Sequence, residues 1–165
     1  QIDKDIPLVW LTGSRLEGLL DVHAKNLRRY LDKGGLLLID SSVGQEPFFN
    51  AACDWVAKML PGEELRPIPT SSPLITGRFE HGRGCDISEV RYTPAAAKLV
   101  GGQTAPPQLM GVVRDGRLIV VVSRFGLAAP AEGTAPDGCL AYAPLDARRI
   151  ILNCLLYAIA SRESR

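Results

Sequence analysis

Histidine is the scarcest chemically useful residue in this chain, with only His23 and His81 among 165 residues. Any centre built on an imidazole must use one of these two. Aromatic residues are also few, at 6%. Trp10, Trp55, Phe48 and Phe49 fall at apolar positions of strand-like and helix-like segments, so they read as core packing rather than as a platform for stacking bases. Charge of one sign is missing: 19 Lys and Arg stand against 18 Asp and Glu, with no local cluster of either sign. No field is available to steer a polyanion, so nucleic acid is not an expected partner. The apolar runs, among them the strand-sized 36–39 and 118–122, are far below the roughly 20 residues that cross a bilayer. Cys53, Cys85, Cys139 and Cys154 lack the short paired spacings of zinc ribbons and redox motifs, so neither a metal nor a cofactor is expected. Cys53 and Cys154 fall on apolar helix faces and read as small buried hydrophobes. The sequence opens on Gln1 rather than Met and lacks a basic stretch followed by an apolar one. The expectation is a fragment of a longer precursor, exported or membrane-associated after loss of a signal peptide or another domain.

What is present is an ordinary globular balance, 46% hydrophobic and 22% charged, enough for one domain over 1–165 with a core of its own. Residues 7–12 form a nearly continuous apolar run ending at Gly13, the pattern of a strand buried on both faces and placed centrally. Asp21 can cap a helix in which Ala24, Leu27 and Leu31, joined by Leu20, share one stripe, while Lys25, Arg28, Arg29 and Lys33 take the solvated side. Gly34 suits the turn past its end, and Gly35 leads at once into the strand 36–40. Strand, amphipathic helix and strand in this order make a parallel crossover unit.

Phe48, Phe49, Ala52, Trp55, Val56 and Met59 recur at helical spacing up to Pro61-Gly62. Residues 65–68 read as a short strand that Pro67 and Pro69 push to an edge. From 70 to 107 glycines and prolines interrupt the pattern, and this excursion either carries small elements of its own or shapes a surface site. Residues 109–113 and 118–123 flank Asp115-Gly116, a pair suited to the positive φ angles of a tight antiparallel hairpin. Asp146 can cap a final helix whose apolar face carries Ile150, Ile151, Cys154, Leu155 and Ala158. The expected fold is α/β: a three-layer αβα sandwich with a mostly parallel sheet and an antiparallel hairpin near the C-terminus.

These pieces, in this order, resemble the family called domain of unknown function 4159, placed near the class I glutamine amidotransferase-like, flavodoxin-like folds. The segments that carry the resemblance are 7–13, 26–35, the strand to Asp40, Ser72-Pro73-Leu74, 115–123, and Asn153 with Tyr157 in the last helix. The resemblance implies an architecture more than an activity, since the family has no established common one. The related amidotransferases set a cysteine nucleophile on a sharp strand-to-helix turn and pair it with a distant histidine and acid. The equivalent turn here carries Asp40, Ser41 and Ser42, and where the family's pattern has His before Pro-Leu, this chain has Ser72.

Ligands in open α/β sheets bind beyond the carboxyl ends of the strands, which makes Asp40, Ser41, Ser42 and Arg124 the expected ligand-binding rim. Asp40 and Ser41 can instead bond local backbone and cap the next helix, and Arg124 can bind a carboxylate or pair with a neighbouring acid. A hydrolase centre would take Ser42 as nucleophile, His81 as base and Asp86 as its orienting acid. The flanking sequence lacks the Gly-x-Ser-x-Gly elbow that exposes such a serine. His23, in the first helix, reads as a surface residue, and Gly82-Arg83-Gly84, with Arg78, reads as a turn more readily than as an anion cradle. The function expected is an amidotransferase-like, non-catalytic domain that binds a small ligand or a protein partner. The alternative is a hydrolase or amidotransferase-type enzyme using a Ser or Cys nucleophile, and a purely structural module is a third possibility.

Overall fold

A computed structural model describes residues 5–16, 21–80 and 82–163. The first strand, β1 (Leu8–Gly13), is followed by helix α1 (Asp21–Asp32) and strand β2 (Leu36–Ser41). β1 and β2 pair in parallel, from Leu8 opposite Leu36 to Gly13 opposite Ser41. The crossover unit read from the sequence is therefore present. Leu20 and the Asp21 side chain, expected at the start of α1, lie outside the described residues. Leu27 and Leu31 are buried as their spacing predicts, and Tyr30 joins them. The Tyr30 hydroxyl shares its one proton between the carbonyls of Pro7 and Leu36, at 2.9 and 3.0 Å, and accepts the Leu36 N–H. Its ring lies where a Cβ on Gly35 would be, so Gly35 is required by close approach.

Helix α2 (Glu46–Met59) leads to the three-residue strand β3 (Leu65–Pro67). The hairpin that follows the excursion consists of β6 (Leu109–Arg114) and β7 (Arg117–Ser123). At its tip Asp115 and Gly116 take φ of 50° and 75°, the pair of positive values the sequence predicts. The five strands lie in the order β1-β2-β7-β6-β3. β1, β2 and β7 run parallel, β6 opposes β7, and β3 opposes β6, so four of the five strands point the same way. β3 is at an edge, as its prolines require. β1 is at the other edge and only half-buried, not central. Its apolar run reflects cover on both faces, while the interior positions belong to β2 and β7, which are buried almost throughout.

Alternate residues of β2 and β7 serve two separate cores. Leu36, Leu38 and Val121 meet Ile150, Cys154 and Ala158 of the last helix, α6 (Pro144–Glu163). Leu37, Ile39, Val120 and Val122 meet Leu27 and Leu31 of α1 and Phe48, Ala52 and Val56 of α2. Truncating any one of these leucines to alanine would cost about 2–5 kcal/mol. Asp146 does not cap α6 as expected. The helix starts two residues earlier, at Pro144, and the buried Asp146 accepts the Arg91 N–H and pairs with Arg149 instead. Proline at the first helical position needs no partner for an N–H it lacks.

The excursion carries small elements: α3 (Pro73–Thr76), β4 (Val90–Arg91), α4 (Pro94–Val100) and β5 (Thr104–Ala105). β4 and β5 form a separate two-stranded antiparallel sheet. Asn153, fully buried in α6, holds the excursion down. Its amide donates to the carbonyls of Leu74 and Cys85, both at 2.7 Å, and its oxygen accepts the Cys85 N–H at 2.8 Å. Tyr157, one helical turn on, accepts the Leu118 N–H through its hydroxyl. The two α6 residues that carry the family resemblance thus act as stitches. A further helix, α5 (Ala128–Glu132), lies in the Gly/Pro/Ala-rich stretch between β7 and α6.

Candidate functional site: a closed rim and an open cleft

Asp40, the next-to-last residue of β2, is fully buried. Removing an ionised carboxylate from water is costly unless donors replace the lost hydration. Three donors do so: Trp10 Nε1 reaches Oδ1 at 2.6 Å, and the N–H groups of Leu127 and Ala128 reach Oδ2 at 2.8 and 3.1 Å. Burial pushes the Asp40 carboxyl above the usual range, against the opposing pull of these bonds and one from Thr12. Asp40 therefore does not cap the next helix. It holds the start of α5, 87 residues further on, together with the indole of edge strand β1. Ser41 does serve the next helix, accepting the Gln45 N–H at 2.8 Å just before α2.

The chain around Ser42 is closed by backbone. The Ser42 N–H donates to Gly13 and its carbonyl accepts the Ala129 N–H. The Leu140 N–H donates to Val43, and the Gly126 N–H donates to Leu140. A Cβ on Gly44, whose φ is +74°, would overlap the Leu140 carbonyl oxygen, and one on Gly126 would lie 2.8 Å from the Ser42 carbonyl oxygen. Two loops and the segment before α6 thus meet without room for a methyl group. Beyond β2, main chain therefore packs directly on main chain at Gly44 and Gly126.

Ser42 itself is half-buried in this closed rim. Asp86 is exposed on the excursion, accepting the Ser88 N–H at 2.9 Å, and its bonds to Ser88 hold its carboxyl below the usual range. The excursion there is tied to α6 through Cys85 and Asn153, not to the rim. His81 lies outside the described residues. His23 is exposed on α1. Burial pushes the thiols of Cys53 and Cys139 up, and that of Cys154 to about 12, the opposite of what a nucleophile needs. Among the described residues no three His, Cys, Asp or Glu side chains group in a way that could hold a metal ion.

Arg124 lies at the same end of the sheet, one residue past β7. Its Nη1 donates to Gln108 Oε1 at 2.9 Å, and its Nη2 pairs at 3.4 Å with Glu46, whose side chain is 60% exposed. The guanidinium also faces the Phe125 ring, 5.6 Å from the centroid. Beside it opens a cleft of about 530 Å³ that the sequence does not reveal, because its walls come from α2, β3, α4 and the strands β5 and β6. Phe49, Ile68, Val100, Pro107 and Met110 give it an apolar lining, with Gln108 and Arg124 supplying the polar groups.

The wall of this cleft is fixed from beneath. Tyr92, Phe125 and Tyr142 form an aromatic cluster with centroids 5.0–5.9 Å apart. The Tyr92 hydroxyl donates to the Pro106 carbonyl at 2.6 Å, and the Tyr142 hydroxyl accepts the Gln108 N–H at 3.1 Å. Burial raises the Tyr92 hydroxyl to about 12 and that of Tyr142 well above its ordinary value, so both stay protonated.

The molecule is therefore a mixed α/β domain with a mostly parallel five-stranded sheet, a separate two-stranded sheet, and a preformed cleft beside a closed strand-end rim. It belongs to the family described as domain of unknown function (DUF4159), whose model matches residues 4–159. No curated protein matches the chain. Among the described residues no helix is long and apolar enough to cross a membrane.

Proposed function

We propose that this is a non-catalytic domain of amidotransferase-like, three-layer αβα architecture that binds a small ligand in the cleft beside Arg124. The observation that supports this reading is the tight rim at Gly44 and Gly126, where main chain meets main chain without room for a methyl group. Asp40 and Ser41 are engaged in holding neighbouring backbone, and the thiols of Cys139 and Cys154 are shifted away from reactivity. The cleft has the complementary properties. It falls within the roughly 300–1,000 Å³ range of small-molecule sites, it is mostly apolar, and few polar groups line it.

The test is an activity assay coupled to a binding assay. Purified protein is offered p-nitrophenyl acetate and glutamine, beside the variants Ser42→Ala and Cys139→Ala. The reading expects no turnover that either substitution removes. Hydrolysis that vanishes in Ser42→Ala or Cys139→Ala would replace it with the enzyme alternative. In parallel, Val100→Trp should fill the cleft and abolish the amide shifts that an apolar probe induces at Phe49 and Met110.

A further inference from the structure

Resting on that reading, we propose that the cleft takes a small organic carboxylate with an apolar body, its carboxylate seated on Arg124 in place of Glu46. Glu46 already marks where a carboxylate meets this guanidinium. Its oxygen lies 3.4 Å from Nη2, a loose approach for a charge-assisted bond, and its side chain is 60% exposed. Such an exposed pair is weak and easily exchanged. Gln108 holds the other arm of Arg124 at 2.9 Å, so the guanidinium is aimed before any ligand arrives.

The rest of the cleft selects the body of the ligand. Phe49, Ile68, Val100 and Met110 offer apolar contact, and Pro106 and Pro107 bring no N–H that would need a partner. A long polar or multiply charged ligand would leave its polar groups unpaired there. A single negative charge at one end of an apolar chain or ring matches both parts. The two hydroxyls under the 106–108 segment keep the wall in place, so little ordering cost falls on binding.

The probes are octanoate and 1-octanol, titrated into the whole chain and followed by backbone amide shifts. Octanoate should bind more tightly than 1-octanol and shift Phe49, Val100, Gln108 and Met110. Arg124→Gln should weaken octanoate about tenfold or more while leaving 1-octanol unchanged, as expected for loss of a bond to a charged group. Glu46→Gln removes the competing acid and should tighten octanoate by up to about fivefold. Equal binding of the two probes, or octanoate affinity indifferent to Arg124→Gln and Glu46→Gln, would overturn the carboxylate assignment and leave the ligand-binding reading intact. Failure of both probes to shift the cleft would overturn both.

Discussion

The rim above β2 and the cleft beside Arg124 lie at the same end of one sheet, yet one is closed and the other open. Asp40 pairs in register with Ser123, and Ser123 with Leu109, so the two places are only a few strands apart. At the rim, glycines let main chain meet main chain, and the backbone of Gly13, Ser42, Val43, Gly126, Ala129 and Leu140 is joined by hydrogen bonds. At the cleft, prolines form the wall. A proline has no N–H to satisfy, so a proline-lined edge can stay unpaired at little cost. Which part of a strand end is available for binding is thus set by backbone chemistry as much as by side chains.

The largest effect should come from opening the rim. Gly44→Ala meets the Leu140 carbonyl and imposes a side chain at φ +74°, so a loss of about 3–5 kcal/mol is expected, read as a shift of the urea midpoint. A shift below about 1 kcal/mol would mean that the loops give way and the rim is not rigid. Next in size is Asp40→Ala, which leaves the N–H groups of Leu127, Ala128 and Trp10 without their acceptor, for about 3–4 kcal/mol. The pH dependence has a defined sign. Because the folded carboxyl sits above its ordinary 3.8, the native state binds the proton more tightly than the unfolded chain. Asp40's contribution is therefore complete below 3.8 and declines as pH rises through the higher folded value. Stability of the native protein relative to Asp40→Asn should fall over that window, and a rise would show that the hydrogen bonds to the carboxylate outweigh burial.

Much of this frame was legible in the residues. The β1-α1-β2 unit and the β6-β7 hairpin were readable because period, glycine and turn chemistry act locally. The position of β1 was not, since an apolar run reports cover on two faces but not which strands lie alongside. α5 and the pieces of the excursion are short and depend on distant partners. Asp40 starts one from 87 residues away, and Asn153 pins another. Arg124 was identifiable as a rim residue, but the cleft beside it is assembled from five separate elements. No sequence window contains that juxtaposition.

The smaller predictions concern the open side. Tyr142→Phe removes the acceptor of the part-buried Gln108 N–H and should cost about 1 kcal/mol. If the cleft wall depends on that bond, the Gln108 amide should also exchange faster with deuterium. The smallest effect should come from Arg124→Gln. Its ion pair with Glu46 is 3.4 Å long, and the two side chains are 37% and 60% exposed, so solvent screens most of the attraction. A change within about 0.5 kcal/mol is expected, measured by thermal or urea unfolding. That near-neutrality sharpens the contrast with Asp40: a polar residue that closes the rim is structural, while one beside the cleft contributes little to folding. A loss approaching that of Asp40→Ala would make Arg124 another structural stitch and remove the reason for placing a ligand beside it.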